Sequence, residues 1–364
     1  MGSILSVVEK YSGGKCFPSN RLHLDDIIPD EYQDKDEKFN TQKIFETSKA
    51  AEKRRLTTFK SDISLFKYFL DGSRRTYKIV DFASTDGKYL PIVAGQIGTA
   101  VCLREKKVVK NLHLSKFNII ALPDRTGGEF EKIKNEISAI VKNNIKIDRI
   151  LEYKHQTNTQ RPPENLAIAK IQKEMLDEEI ILIDRMVTSN LLKTDKILMI
   201  DGSLQYTNIK TEQEYIFHNV IGVSKSFNPN LQGILKTKGK EIGSYLTSLN
   251  YGERTPVYKY EPESGRKFKT VIGAWYLRIR EKKYTKGPLE GIIKVEKIAT
   301  TQKEKEDGFQ TELIDEISSA ILQERNVTCH GKDERWANHL YPIYLTELFI
   351  KSSFLSDKQF LSIF

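Results

Sequence analysis

Between residues 63 and 122 the chain runs through apolar segments in quick succession, at 63–70, 76–84, 90–103 and 117–122. They alternate or are rich in β-branched residues, and Gly-containing turns separate them, which predicts a block of neighbouring strands. The stretch 127–144, "GGEFEKIKNEISAIVKNN", has helical spacing. After the polar link "KHQTNTQRPP", a long helix is expected over roughly 164–187, with Pro163 just before it. Strands follow at "ILMIDGSLQY" (197–206), 217–227, 270–281 and 291–299, and helices at about 311–325 and 341–356 close the chain. Strands, then a helix, then strands, then helices predict an α/β chain with a mixed β-sheet flanked by helices. Residues 1–60 are polar. Behind the acidic "LDDIIPDEYQDKDEK", "NTQKIFETSKAAEKRRLTTF" reads as a helix, so 1–60 is expected to be an N-terminal helical extension to a main domain over 61–364.

With 39% hydrophobic and 29% charged residues among 364, the composition is that of an ordinary globular chain. No run of 18 or more apolar residues is present, which argues against a membrane-spanning helix. The start "MGSILSVVEKYSGGK" lacks the basic and apolar regions of a signal peptide. It also matches a short myristoylation pattern, of a kind easily met by chance. Cys16, Cys102 and Cys329 are odd in number and widely spaced, so a disulfide framework or zinc site is not expected and a cytoplasmic location fits. The net charge of +9 and pI near 9.1 favour an anionic partner, of which nucleic acid is the commonest. Basic residues are spread through "KAAEKRR", "REKKVVK", "LKTKGK", "GRKFK" and "RIREKK", as in a groove gathered from several loops. There is no P-loop, no Gly-x-Gly-x-x-Gly after a strand and no Gly-x-Ser-x-Gly elbow.

Two apolar runs end on the same triplet, Asp71-Gly72-Ser73 and Asp201-Gly202-Ser203. Each reads as a strand end that places a carboxylate at the sheet edge, with a glycine that allows close approach. Two such carboxylates side by side repel, and a divalent cation relieves the repulsion; oxygen ligands favour Mg²⁺ or Mn²⁺. The plainer alternative is a pair of Asp-Gly turns. The long helix offers a third carboxylate: Glu178 falls on the apolar stripe Ile171, Met175, Leu182, Met186, where an acid is costly unless paired or metal-bound. Glu174 and Glu179 are its rivals. Lys225, at the end of the strand "VIGVSKSF", could hold a scissile phosphate. His339 and Tyr341 open the last helix, whose N-terminus attracts phosphate.

The order "FLDGSRRTY", glutamate-bearing helix, "ILMIDGSLQY", "VIGVSKS", "AWYLRIR", "YPIYLTELF" resembles the NurA nuclease family over about residues 40–360. The resemblance implies an RNase H-like core and a Mn²⁺- or Mg²⁺-dependent deoxyribonuclease. It further implies a homodimer working with a HerA-type hexameric ATPase in DNA end processing or repair, or in anti-phage defence. On that resemblance Asp71, Glu178 and Asp201 are the metal ligands, Lys225 takes the basic position and Tyr341 that of the Tyr-Pro motif. The family's last helix tends to carry Ala-His where this chain has Leu348 and Phe349, so Glu347 or His339 substitutes, or the last ligand is missing. Alternative readings are an Argonaute PIWI-like guided nucleic-acid-binding module and a non-catalytic DNA-binding subunit. If the corners hold metal, Asp201→Asn should abolish cleavage while apo stability holds or rises.

Overall fold

The computed structural model describes residues 3–19, 23–25, 39–57, 64–126, 129–155, 162–193, 196–205, 209, 211–227, 242–260, 270–324, 326–327 and 337–364. The expected acidic segment before residue 39, the myristoylation pattern's Gly2 and Cys329 lie wholly or largely outside these residues.

A long meander forms the centre: β4 (Phe66–Ala83), β5 (Tyr89–Glu105) and β6 (Val108–Pro123), antiparallel to one another. Ahead of it come α1 (Ser3–Ser12), β1 (Lys15–Pro18), β2 (Phe39–Ile44) and β3 (Arg54–Arg55). After it come α2 (Phe130–Ala139), the small hairpin β7 (Val141–Lys142) and β8 (Ile145–Lys146), and β9 (Arg149–Tyr153), which is parallel to β6. Helix α3 (Pro163–Thr188) then crosses to β10 (Ile197–Asp201), parallel to β4, and β11 (Val220–Ser224), parallel to β10. Next are α4 (Ile242–Thr247), β12 (Glu253–Arg254), β13 (Tyr258–Tyr260), β14 (Ile272–Arg278) and β15 (Ile292–Ile298). Helices α5 (Gln302–Asp307), α6 (Thr311–Gln323), α7 (Tyr341–Ser352) and α8 (Asp357–Leu361) close the chain.

The sheet order β6-β5-β4-β10-β11 is 3-2-1-4-5 counted along the chain, with only the second strand reversed. That is the RNase H-like arrangement, extended past β11 by β15, β14, β13 and β2. The expected mixed sheet flanked by helices is therefore what forms. Its two faces separate by strand parity. Tyr68, Leu70, Leu198 and Ile200 pack against Leu182, Ile183 and Met186 of α3. Phe69, Met199, Ile221 and Val223 pack against Ile314 and Ile317 of α6 and Ile343 of α7.

Two expectations are corrected. The segments 63–70 and 76–84 are one strand, β4, so Asp71-Gly72-Ser73 lies inside it rather than at a corner. Gly72 pairs with Thr99 in the ladder, and its φ is not positive. The helix expected over "NTQKIFETSKAAEKRRLTTF" is absent: β2 pairs with β13, β3 pairs with β12, and Glu46 is fully buried against Arg254, 2.8 Å away. Tertiary pairing overrides the helical propensity of that stretch, and among the described residues before 60 only α1 is an α-helix. Cys16 and Cys102 are buried free thiols. No helix among the described residues is long and apolar enough to cross a membrane.

Candidate metal centre

The register sets Ile200 beside Leu70, so Asp201 and Asp71 follow side by side on adjacent parallel strands, about 4.8 Å apart at ordinary strand spacing. By parity both belong to the face covered by α6 and α7. Asp201 ends β10, where Gly202 turns the chain with φ of 113° and donates its N–H to the Val223 carbonyl at 2.9 Å. That φ lies in the region open chiefly to glycine.

The loop beyond Asp201 is tied down by Glu296 of β15. Its carboxylate accepts from Ser203 Oγ at 2.8 Å, from the Leu204 N–H at 2.7 Å and from Gln205 Nε2 at 3.2 Å. Lys294 Nζ lies 2.8 Å from the same carboxylate, and both residues are 1% exposed. Burial works to raise the Glu296 pKa, but Lys294 and the hydrogen bonds outweigh it and hold the group below its usual range. In the sequence these residues are only the charged positions of a strand buried on both faces.

Three further side chains converge on Asp201. Lys225, one residue past β11, places Nζ 2.7 Å from Asp201 Oδ2, 2.9 Å from His339 Nε2 and 3.7 Å from Glu347 Oε2. His339 Nε2 is also 3.1 Å from Glu347 Oε2, so its tautomer decides which neighbour it bonds. Lys351 reaches Glu347 Oε1 at 2.7 Å. The segment before α7 is held by Arg280, which donates to the Ala337 carbonyl at 2.7 Å, and by Asn338. Asn338 accepts from the Gly291 N–H at 2.7 Å and donates to the Lys225 carbonyl at 2.6 Å.

The electrostatics follow from this crowding. Asp71 is 4% exposed, and its Oδ2 has no hydrogen-bond partner among the described residues. Burial, followed by Asp201, Glu347 and Glu179, drives its pKa well above the usual range, with only Lys225 opposing. Glu347 is pulled well below its usual range by the His339 hydrogen bond, helped by Lys225 and Lys351 against its burial. Burial works against the Lys225 charge, but Asp201, Asp71 and Glu347 more than compensate and raise its pKa.

Ligand atoms of Asp201, His339 and Glu347 lie within 4.8 Å of one another. Two carboxylates and an imidazole are a donor set that divalent cations accept. Beside them, the orphaned Asp71 Oδ2 is a buried acceptor that such an ion would satisfy, so the residues fit a divalent cation.

The helical glutamates divide. Glu178 pairs with Arg149 of β9, which also binds Glu174 and stacks 3.9 Å over the Phe117 ring. This pairing accounts for an acid on the buried stripe without a metal. Glu179, 3% exposed, lies on Gly72: a Cβ there would collide with its Oε1 and sit 3.0 Å from Met175 Cε. Glu179 is thus the α3 carboxylate beside Asp71, approaching from the other face of the sheet. Tyr341 opens α7 with Pro342 in second place. Its ring lies 6.3 Å from that of Tyr344, which stands edge-on to His339 at 5.7 Å. The fold brings to Asp201 the expected Lys225 together with His339 and Glu347, which sequence reasoning holds as ligands only in substitution for the motif's last position.

No family model matches the chain, and no curated protein matches it. Among solved structures, the NurA nuclease from Sulfolobus solfataricus is similar. The two are 12% identical, with 85% of this chain and 86% of that chain covered and a TM-score of 0.46.

Proposed function

We propose that this chain is a divalent-metal-dependent deoxyribonuclease, a phosphodiester hydrolase working at the Asp71–Asp201 end of the sheet. The observation that carries the reading is the convergence of Asp201, His339 and Glu347 beside a buried, unsatisfied Asp71. That oxygen is a buried acceptor with no donor among the described residues, a feature a nearby cation accounts for. The order of sequence motifs and the net charge of +9 point to DNA as the polyanion.

Asp201, Glu347 and His339 would hold the ion, Mn²⁺ or Mg²⁺, with Asp71 and Glu179 adding charge from either side. The bound ion supplies a Lewis acid and a route to hydroxide at neutral pH. Lys225 carries the positive charge that binds a non-bridging phosphate oxygen and steadies the developing negative charge. Glu296, through Ser203 and Leu204, fixes the loop that aims Asp201. Tyr341 and the start of α7 take the place of the Tyr-Pro motif near the phosphate backbone. A homodimer and a HerA-type ATPase partner in end processing or defence belong to the same reading, since the chain has no P-loop of its own.

The test is degradation of linear single- and double-stranded DNA with and without Mn²⁺, with and without a co-encoded ATPase. Metal-dependent cleavage that Asp201→Asn removes is the expected result. Absence of cleavage in every arm, from protein that melts cooperatively, would overturn the reading.

A further inference from the structure

The position a metal ion would take at this centre is already held by a cation. Lys225 Nζ lies 2.7 Å from Asp201 and 2.9 Å from His339, with Glu347 3.7 Å away. Those are the three residues whose ligand atoms cluster within 4.8 Å. A metal with bonds of roughly 2.0–2.2 Å to the same atoms needs the same volume. The ammonium and an ion bound to these same atoms compete, because like charges within one ligand set repel at short range.

The local architecture fixes the backbone of Lys225 and leaves its side chain to move. Its carbonyl is anchored by Asn338 at 2.6 Å, and β11 ends one residue earlier at Ser224. The side chain is 20% exposed, so a path to solvent exists, and a four-carbon stem rearranges readily.

We propose, building on the metal-centre reading above, that Lys225 is the resident cation of this site. It holds Asp201, His339 and Glu347 together in the metal-free protein and leaves them when a divalent ion enters. Metal entry thereby converts Lys225 from an internal counter-ion into a free ammonium at the mouth of the site, where a phosphate oxygen is its next partner. The lysine prevents the carboxylates from driving one another apart before the ion arrives, and in return it weakens metal binding by competing for the same atoms.

The experiment uses full-length chelated protein and MnCl₂. Mn²⁺ affinity is measured by titration calorimetry for wild type, Lys225→Met and Asp201→Asn. In parallel, wild-type lysines are labelled with an amine-reactive reagent with and without saturating Mn²⁺, and Lys225 labelling is read by peptide mass spectrometry. Lys225→Met should bind Mn²⁺ at least tenfold more tightly than wild type, and Mn²⁺ should raise labelling of Lys225 in the wild type. Equal or weaker binding by Lys225→Met overturns the inference. So does Lys225 labelling that stays flat or falls; this arm needs no substitution and survives a variant that folds poorly. Wild-type binding that Asp201→Asn abolishes, without any gain in Lys225→Met, removes the inference and leaves the metal centre standing. No Mn²⁺ binding by either wild type or Lys225→Met at millimolar ion removes both.

Discussion

Asp201→Asn separates a metal-holding carboxylate from a turn residue, and the structure reverses the expected sign of its effect on stability. From the sequence, relieving repulsion between two aspartates should leave the apo protein as stable or more so. In the fold, Asp201 instead faces Lys225 at 2.7 Å, with side chains only 11% and 20% exposed. Removing one partner of a fully buried pair costs about 3–5 kcal/mol. Here the loss is smaller, because Lys225 keeps Glu347 at 3.7 Å and the Asn oxygen still accepts. Relief of repulsion toward Asp71 offsets part of the rest. The net expectation is a destabilisation of about 1–2 kcal/mol, well under the figure for a fully enclosed pair. For a chain of this size that lowers the melting temperature by a few degrees, roughly 2–4 °C per kcal/mol at most.

Activity should fall much further. If the ion lowers the barrier by several kcal/mol, losing a ligand reduces cleavage by about a hundredfold or more. The assays are calorimetry of chelated protein at neutral pH and Mn²⁺-dependent degradation of linear DNA. A well-folded Asp201→Asn protein with full activity would return Asp201-Gly202-Ser203 to a plain turn. A raised apo melting temperature would refute this balance and show that relief of repulsion toward Asp71 outweighs the pair with Lys225.

The remaining predictions concern its neighbours. Asp71→Asn should stabilise the apo protein at neutral pH. The folded pKa of Asp71 is raised by burial and by Asp201, so wild type loses stability as pH climbs from about 4 through that folded value. The melting-temperature gap between variant and wild type should therefore widen from pH 4 toward 7, and a constant gap would contradict the burial argument. Glu296→Gln should destabilise by about 1–3 kcal/mol in urea unfolding, because it removes the carboxylate charge 2.8 Å from the buried Lys294 and weakens the acceptor of Ser203 and Leu204; a change below about 1 kcal/mol would remove Glu296 as the anchor of the loop. Glu178→Gln and Glu179→Gln should part company. The first loosens Arg149 and lowers stability with cleavage largely retained, while the second lowers cleavage, and the reverse pattern would restore Glu178 to the site.

Much of this fold is legible because its long strands carry strong local signals. β5, β14, β15 and α3 fall where alternation, β-branching and a leading proline place them, whereas only the end of β6, near 117–122, is expected and its start at Val108 is not. The errors come where a local signal is ambiguous and a distant partner decides. Gly72 reads as a turn residue, yet Thr99 across the ladder holds it extended. Residues 40–59 contain good helix formers, but Glu46 is drawn into a fully buried pair with Arg254, far along the chain. Glu178 and Glu179 are both buried, and only Arg149 and Gly72, neither of them near in sequence, tell their roles apart. Glu347 comes into view only because the last helix departs from the expected motif, while His339 is first singled out as a phosphate contact at the start of that helix.

The repeated Asp-Gly has one outcome but two causes. At Asp201 the glycine is conformational: a φ of 113° carries the chain away from β10 so that the carboxylate ends the strand. At Asp71 the glycine is steric. β10 stops at Asp201, while β4 continues to Ala83 and next meets chain on that side where the Leu24 N–H bonds the Thr76 carbonyl, at 2.9 Å. Among the described residues, β4 therefore has no strand partner on that edge just beyond Asp71, and Gly72 puts no side chain into the notch. Glu179 fills it from the α3 face, while Asp71, Asp201, His339 and Glu347 gather on the α7 face. Carboxylate charge thus acts on Asp71 from both faces of the sheet. Such an arrangement repels itself unless a cation stands in the middle. Lys225 is the cation that stands there, 2.7 Å from Asp201 and 3.7 Å from Glu347, so the carboxylates are balanced by a side chain of the fold itself.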